Sequence, residues 1–160
     1  MDQCGSVATN EAWRLKAGKA TIKDIGKIVL FGREAHESSA WGHIPYSAAK
    51  FRKSLKTLLR RPDCVVLVAR NPDICGLLIG MADELLQSNW RFTSEIDFFA
   101  KQGGGELIDE FKAWSRSVGA KEIMMSDSNG DRLKAKDRFY RTKGFERRGS
   151  MFVHTIGGQK

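Results

Sequence analysis

One stretch of the chain could hold an anion: Gln102-Gly103-Gly104-Gly105, followed by a helical pattern over residues 106–118. Leu107, Ile108, Phe111, Trp114 and Val118 fall on one helical face, and Glu106, Asp109, Glu110, Lys112 and Arg116 take the other. Glycines leave backbone N–H groups unshielded, and a helix start already presents free N–H donors and partial positive charge. Such a turn suits a phosphate or pyrophosphate. It equally suits an ordinary flexible loop ahead of a helix, and the glycines alone do not separate the two. No cysteine or serine has the surroundings of an activated nucleophile, so a covalent enzyme intermediate is not indicated. Cys4, Cys64 and Cys75 are odd in number, widely spaced and free of any Cys-x-x-Cys pair, which argues against a disulfide framework and a zinc site.

The elements that must position this turn follow from periodicity. A first strand is expected within residues 12–20, through Trp13 and Leu15. Thr21 and Asp24 then open a helix that runs to about Glu37. A loop with Trp41 and His43 leads to a second helix from Ser47, whose stripe is Phe51, Leu55, Leu58 and Leu59 and which Pro62 stops. Residues 64–69 form a β-branched strand, Asn71-Pro72-Asp73 a turn, and residues 75–86 the other arm of a hairpin. Residues 91–99 follow as a strand in which Thr93, Glu95 and Asp97 share one face. After the glycine turn and its helix come a strand at 121–127, a basic helix at 131–143 ended by Gly144, and a last strand at 145–156. Three adjacent strands with helices interposed later predict a mixed sheet rather than a doubly wound parallel one.

With 160 residues, 41% hydrophobic and 29% charged, the composition is that of a globular protein able to close a core. One domain is expected over residues 12–156, after a loose lead-in at 1–11 and before a tail at 157–160. No apolar run approaches the roughly 20 residues of a membrane span. The first residues lack the pattern of a secretory signal, so the cytoplasm is the expected location. A formal charge of +8 permits attraction to nucleic acid, an acidic protein or a polyanionic cofactor without choosing between them.

The order of elements, with a glycine-rich turn between the fourth strand and third helix, resembles the GNAT (Gcn5-related) N-acetyltransferase family. The most specific local match is Arg138-Phe139-Tyr140-Arg141-Thr142-Lys143-Gly144-Phe145, similar to the family's Leu/Phe-Tyr-x-x-x-Gly-Phe signature. Lys112-Ala113-Trp114 to Gly119-Ala120-Lys121 resembles the passage after the family's cofactor loop, and Ala20-Thr21-x-x-Asp24-Ile25 its entry into the first helix. The resemblance covers residues 12–155. It implies an α/β (α+β) fold: a mixed, mostly antiparallel sheet of about six to seven strands, flanked by about four helices. It also implies acetyl-CoA as co-substrate and a primary amine as acceptor, attacking the thioester directly.

Carried over residue by residue, the resemblance makes Lys101, Gln102, Gly103, Gly104 and Gly105 the diphosphate cradle, and Phe98 and Phe99 the backbone along the pantetheine arm. Tyr140 matches the general acid. Glu95 is the first candidate for the base, with Asp97 and Glu84 as alternatives. His36 and His43 fall where the family shapes its acceptor pocket. Trp41, Trp90 and Phe92 could line that pocket, a subunit interface or the core. The sequence departs from the family at Leu107, where the loop motif wants a small residue, and at Leu133 and Lys136, where Asn and Ala are usual. Lys136 could reach a CoA phosphate. A homodimer is compatible with the resemblance. The competing reading is a GNAT-fold binding module without catalysis, its basic helices meeting nucleic acid or a protein partner.

Overall fold

Strand β1 (Lys16–Lys19) pairs antiparallel with β2 (Cys64–Arg70), β2 with β3 (Ile74–Glu84), and β3 with β4 (Arg91–Ala100). Strand β5 (Glu122–Met124) joins β4 in parallel, completing a five-stranded sheet among the described residues. The structure, a computed structural model, describes residues 15–126 and 133–149. Helices α1 (Ile25–Glu37), α2 (Ala48–Leu58), α3 (Gly104–Ser117) and α4 (Leu133–Thr142) flank the sheet. The α/β architecture, mixed and mostly antiparallel, is as expected. Of the last strand expected at 145–156, residues 145–149 are irregular and the remainder lies outside the described residues. Trp13, the lead-in and the tail also lie outside them.

Both faces of the sheet are covered, which explains why β2 is apolar without alternation. Val66 and Val68 of β2 join Ile28, Val29, Leu55, Leu77 and Ile79 under α1 and α2. Val65, Leu67 and Ala69 turn the other way, to Leu78, Leu107, Ile108, Phe111 and Trp114 under α3. Phe111 is fully buried and stacks on Trp114 with ring centroids 5.7 Å apart. Burying such a ring stabilises by roughly 1.5–3 kcal/mol. Phe139, Tyr140 and Phe145 pack against this second cluster, so α4 is held on the α3 side of the sheet.

The helix starts obey local chemistry. Asp24 accepts the Thr21 backbone N–H at 2.7 Å and its hydroxyl at 3.1 Å, ahead of a short 3-10 turn (Ile22–Asp24) leading into α1. Ser47 accepts the Lys50 N–H at 3.3 Å at the head of α2. Helix α3 begins at Gly104 instead of Glu106 because Gly103 takes a left-handed conformation (φ +78°) that turns the chain at once. Only Lys101, Gln102 and Gly103 connect β4 to α3.

Candidate active site

The pairing of β4 with β5 covers only residues Phe92 to Ser94, matched to Glu122 to Met124. Beyond Ser94 no described strand lies along that edge of β4, and the two strands part. The fork opens into a cleft of about 1250 Å³, walled by α1 and α2 on one side and by α4 on the other. The first-choice base Glu95, the acid candidate Tyr140 and the proposed cofactor residues Phe98, Phe99, Lys101, Gln102, Gly103, Gly104, Gly105 and Lys136 all line it.

A bulge shapes the fork. Asp97 pairs with Ile79 and Glu95 with Gly80, leaving Ile96 without a partner on β3. The inserted residue breaks the alternation of β4, so Glu95 and Asp97 do not share a face as the sequence pattern predicts. Asp97 sits opposite Ile79, on the α1–α2 side. Glu95 sits opposite Gly80, whose missing Cβ leaves room for Phe111 of α3 (a Cβ there would stand 2.2 Å from Phe111 Cε2). The cleft therefore receives one carboxylate from each side of the sheet.

Glu95 spans the fork. The Ser126 backbone N–H donates to its Oε1 at 2.6 Å, and the Ser126 hydroxyl donates to the same oxygen. The Tyr140 hydroxyl lies 3.5 Å from the Ser126 carbonyl oxygen, at the long limit of a hydrogen bond. Burial pushes the Glu95 carboxyl above its ordinary value, partly offset by the Ser126 bonds and reinforced by nearby Asp97. Burial also raises Asp97, against the pull of the Phe98 backbone N–H and His36. Raised carboxylates in a cleft are stronger proton acceptors than exposed ones. The third carboxylate, Glu84, lies elsewhere: it is exposed at the far end of β3, paired with Arg91 at 3.2 Å.

Past Ser94 one edge of β4 has no strand beside it among the described residues, and the Asp97 carboxylate accepts the Phe98 N–H there. The Lys101 N–H donates to the Cys75 carbonyl at 2.9 Å, and the Gln102 N–H to the same oxygen at 3.3 Å. Alternation back from Lys101 turns the Phe99 backbone toward Leu77 of β3 and the Phe98 and Ala100 backbone toward the cleft. The Phe99 ring meets Phe31 instead, with centroids 5.5 Å apart.

At the head of α3, the first intrahelical bond runs from the Leu107 N–H to the Gly103 carbonyl at 2.9 Å. The N–H groups of Gly104, Gly105 and Glu106 thus have no intrahelical acceptor, and no side chain caps the helix. Leu107, which breaks the family's loop motif, is fully buried and leaves the hollow open. Glu106 is exposed. Lys143, anchored to Asp109 at 2.8 Å, lies across Gly105, with Nζ 3.3 Å from where a Cβ would stand. Lys101 pairs with Glu34 of α1 at 2.5 Å, and Gln102 accepts from Asn71 at 3.0 Å.

The α1–α2 side supplies aromatic and apolar walls. Trp41 and Ile44 line the cleft while 41% and 45% exposed. His36 Nε2 lies 2.6 Å from the Ile44 carbonyl oxygen and its ring 5.5 Å from Tyr46. Tyr46, which sequence reading passed over, donates to the Val29 carbonyl at 2.7 Å and packs beneath Arg33. Ser126 was equally silent in the sequence, because a serine just past a short strand has no motif. His43, Trp90 and Phe92 do not line the cleft. Burial raises the thiols of Cys64 and Cys75, so neither is an activated nucleophile.

This arrangement has the fold of solved N-acetyltransferases. No protein-family model matches the chain, and no curated protein matches it by sequence. Among solved structures, a transcriptional regulator from Bacillus halodurans C-125 superposes with TM-score 0.71 at 17% identity, covering 89% of this chain and 100% of that one. Glucosamine-6-phosphate N-acetyltransferase from Arabidopsis thaliana gives 0.67 at 15% identity, with 89% and 99% covered. An aminoglycoside acetyltransferase from an uncultured soil metagenomic sample, in complex with sisomicin, gives 0.67 at 22% identity, with 89% and 96% covered. At such identities the likeness is one of fold. Among the described residues no helix is long and apolar enough to cross a membrane.

Proposed function

We propose that the chain is an N-acetyltransferase that moves an acetyl group from acetyl-CoA to a primary amine. The observation that carries this reading is the head of α3, where Gly104 and Gly105, whose N–H groups have no intrahelical acceptors, line the same cleft as Glu95 and Tyr140. A diphosphate fits there because Gly103 to Gly105 bring no Cβ between backbone and ligand. Lys143, Lys101 and Lys136 add positive charge around it. When bound, acetyl-CoA supplies the acetyl thioester.

The residues divide the work by position. Phe98 and Ala100 offer their outward backbone groups to the amide-bearing arm, as an added strand would. The Phe98 N–H, which the Asp97 carboxylate accepts, polarises a carbonyl oxygen at the fork only once that carboxylate releases it. Glu95 takes the proton of the attacking amine on the carboxylate oxygen that Ser126 leaves open, and its raised affinity for protons suits the task. Tyr140 supplies a proton to the departing sulfur, work within the reach of a positioned phenol. Asp97, on the opposite face beside His36, attracts the cationic amine before it is deprotonated.

Isothermal titration with acetyl-CoA tests this reading. Binding at micromolar affinity is expected, together with release of free CoA in the presence of a primary amine. No heat at millimolar acetyl-CoA would overturn it.

A further inference from the structure

Some surface cations in this protein are matched by carboxylates: Lys27 with Asp73, Arg61 with Asp63, Arg70 with Asp24, Arg91 with Glu84, Arg148 with Glu122. Helix α2 concentrates cations without such partners on one element. It carries Lys50, Arg52, Lys53 and Lys56 and no acidic residue, and Arg60 follows directly. None of these five takes part in an ion pair among the described residues, although all are exposed. Lys50, Lys53 and Lys56 follow at a spacing of three, which places them along one side of the helix, and Arg60 lies in the turn just past its end. The row begins inside the cleft, where Lys50 lines the wall beside Ser47, Phe51 and Ser54.

We infer that the acceptor amine is carried on an acidic peptide segment, whose carboxylates lie along the α2 row while its amine enters the cleft. The inference rests on the acetyltransferase reading of the cleft and names the substrate class for it. Length decides between acceptors. From Lys50 to Arg60 the row runs about 15 Å at a helical rise of about 1.5 Å per residue. An extended chain rising about 3.3 Å per residue covers that with about five residues, whereas an amino sugar or a short diamine cannot. Charge decides further: a free polycation would be repelled by the row. A nucleic acid would match the row but brings no aliphatic amine to Glu95 and Asp97.

The test uses three probes on the full chain: a peptide with a free amino end followed by five Asp or Glu residues, the same peptide with Asn and Gln, and a single-stranded oligonucleotide. Binding is read by anisotropy of a C-terminal label, acetylation by mass spectrometry, and acetyl-CoA binding separately by melting shift. The acidic peptide is expected to bind and be acetylated at least about tenfold better than the neutral one, with the advantage fading as salt rises. Lys53→Glu/Arg60→Glu, which alters exposed residues outside the cleft wall, is expected to erase that advantage. Should the variant not fold, the salt dependence of the unaltered protein carries the same information. Equal use of the acidic and neutral peptides, or tighter binding of the oligonucleotide than of the acidic peptide, would overturn the inference. Loss of the acetyl-CoA shift with peptide binding intact would instead remove the transferase reading and leave the docking surface standing.

Discussion

Glu95 and Tyr140 meet at one residue: the carboxylate holds the Ser126 N–H at 2.6 Å, and the phenol lies 3.5 Å from the Ser126 carbonyl oxygen. Base and acid candidates thus share a hinge just beyond β5, on the α3–α4 side of the sheet. Under the proposed reading, Glu95→Gln lowers kcat by about 100-fold or more, the span typical of a positioned base, while acetyl-CoA affinity holds. The rate of the unaltered enzyme rises with pH through the raised Glu95 titration, and the variant loses that limb. Stopped-flow or endpoint detection of free CoA across pH checks both. An unchanged acid limb in Glu95→Gln would transfer the role to Asp97.

Asp97 makes a stability prediction of definite sign. Its proton affinity is raised in the folded state by burial, so the fold favours the neutral carboxyl. The charged form weakens the native state once pH passes above the unfolded pKa, and the penalty disappears below it. Asp97→Asn is therefore expected to melt higher than the unaltered protein at pH 7 and to lose that advantage below about pH 4. Thermal denaturation at the two pH values measures it. A lower melting temperature at pH 7 would contradict the account of Asp97.

Asp24 behaves oppositely. Burial pushes it up, but its bonds to Arg70 and to the Thr21 N–H and hydroxyl outweigh that and hold it below the ordinary value. It bridges the start of α1 to the end of β2, with Arg70 at 2.8 Å. Its stabilisation is present above the unfolded pKa and is lost as pH falls through the folded one. Asp24→Asn is expected to cost about 1 kcal/mol at pH 7, the usual scale of a lost cap, and to match the unaltered protein in acid. Urea melts at the two pH values decide.

Two glycines carry the geometry of the fork. At Gly103 any side chain meets a left-handed backbone and stands 2.6 Å from Ala69 Cβ. At Gly80 it stands 2.2 Å from Phe111. Gly103→Ala and Gly80→Ala are each expected to destabilise by about 1–3 kcal/mol. Gly80→Ala also displaces Phe111 and with it the strand bearing Glu95. Denaturant midpoints measure the cost, and a neutral effect at either site would refute the packing described.

Most of the fold was legible because it rests on local periodicity. The apolar run at Cys64, the Thr21–Asp24 pair and the stripe through Leu107, Phe111 and Trp114 each dictate an element without distant help. The head of α3 was misplaced by two residues because Gly104 and Gly105 look like loop residues, whereas Gly103 alone makes the turn. The face of Asp97 was misjudged for a different reason. Strict alternation assumes an unbroken ladder, and the bulge at Ile96 shows only in the pairing with β3. Ser126 and Tyr46 were invisible because their roles depend on neighbours far away in sequence. Gly103, Gly104 and Gly105 stood out by type and spacing, whereas Glu95, Phe98, Phe99, Lys101, Lys136 and Tyr140 were placed in the cleft through the family resemblance, which rests on the Phe139-Tyr140 segment and the glycine turn.

The account stands on the open N–H groups at the head of α3, and amide NMR of the nitrogen-15-labelled protein during titration with acetyl-CoA addresses them directly. The largest shifts are expected at Gly104, Gly105 and Glu106, with Phe98 and Ala100 moving at the same ligand concentrations. Unchanged amides at these five positions in millimolar acetyl-CoA would contradict the account, as would shifts confined to the lysines of α2.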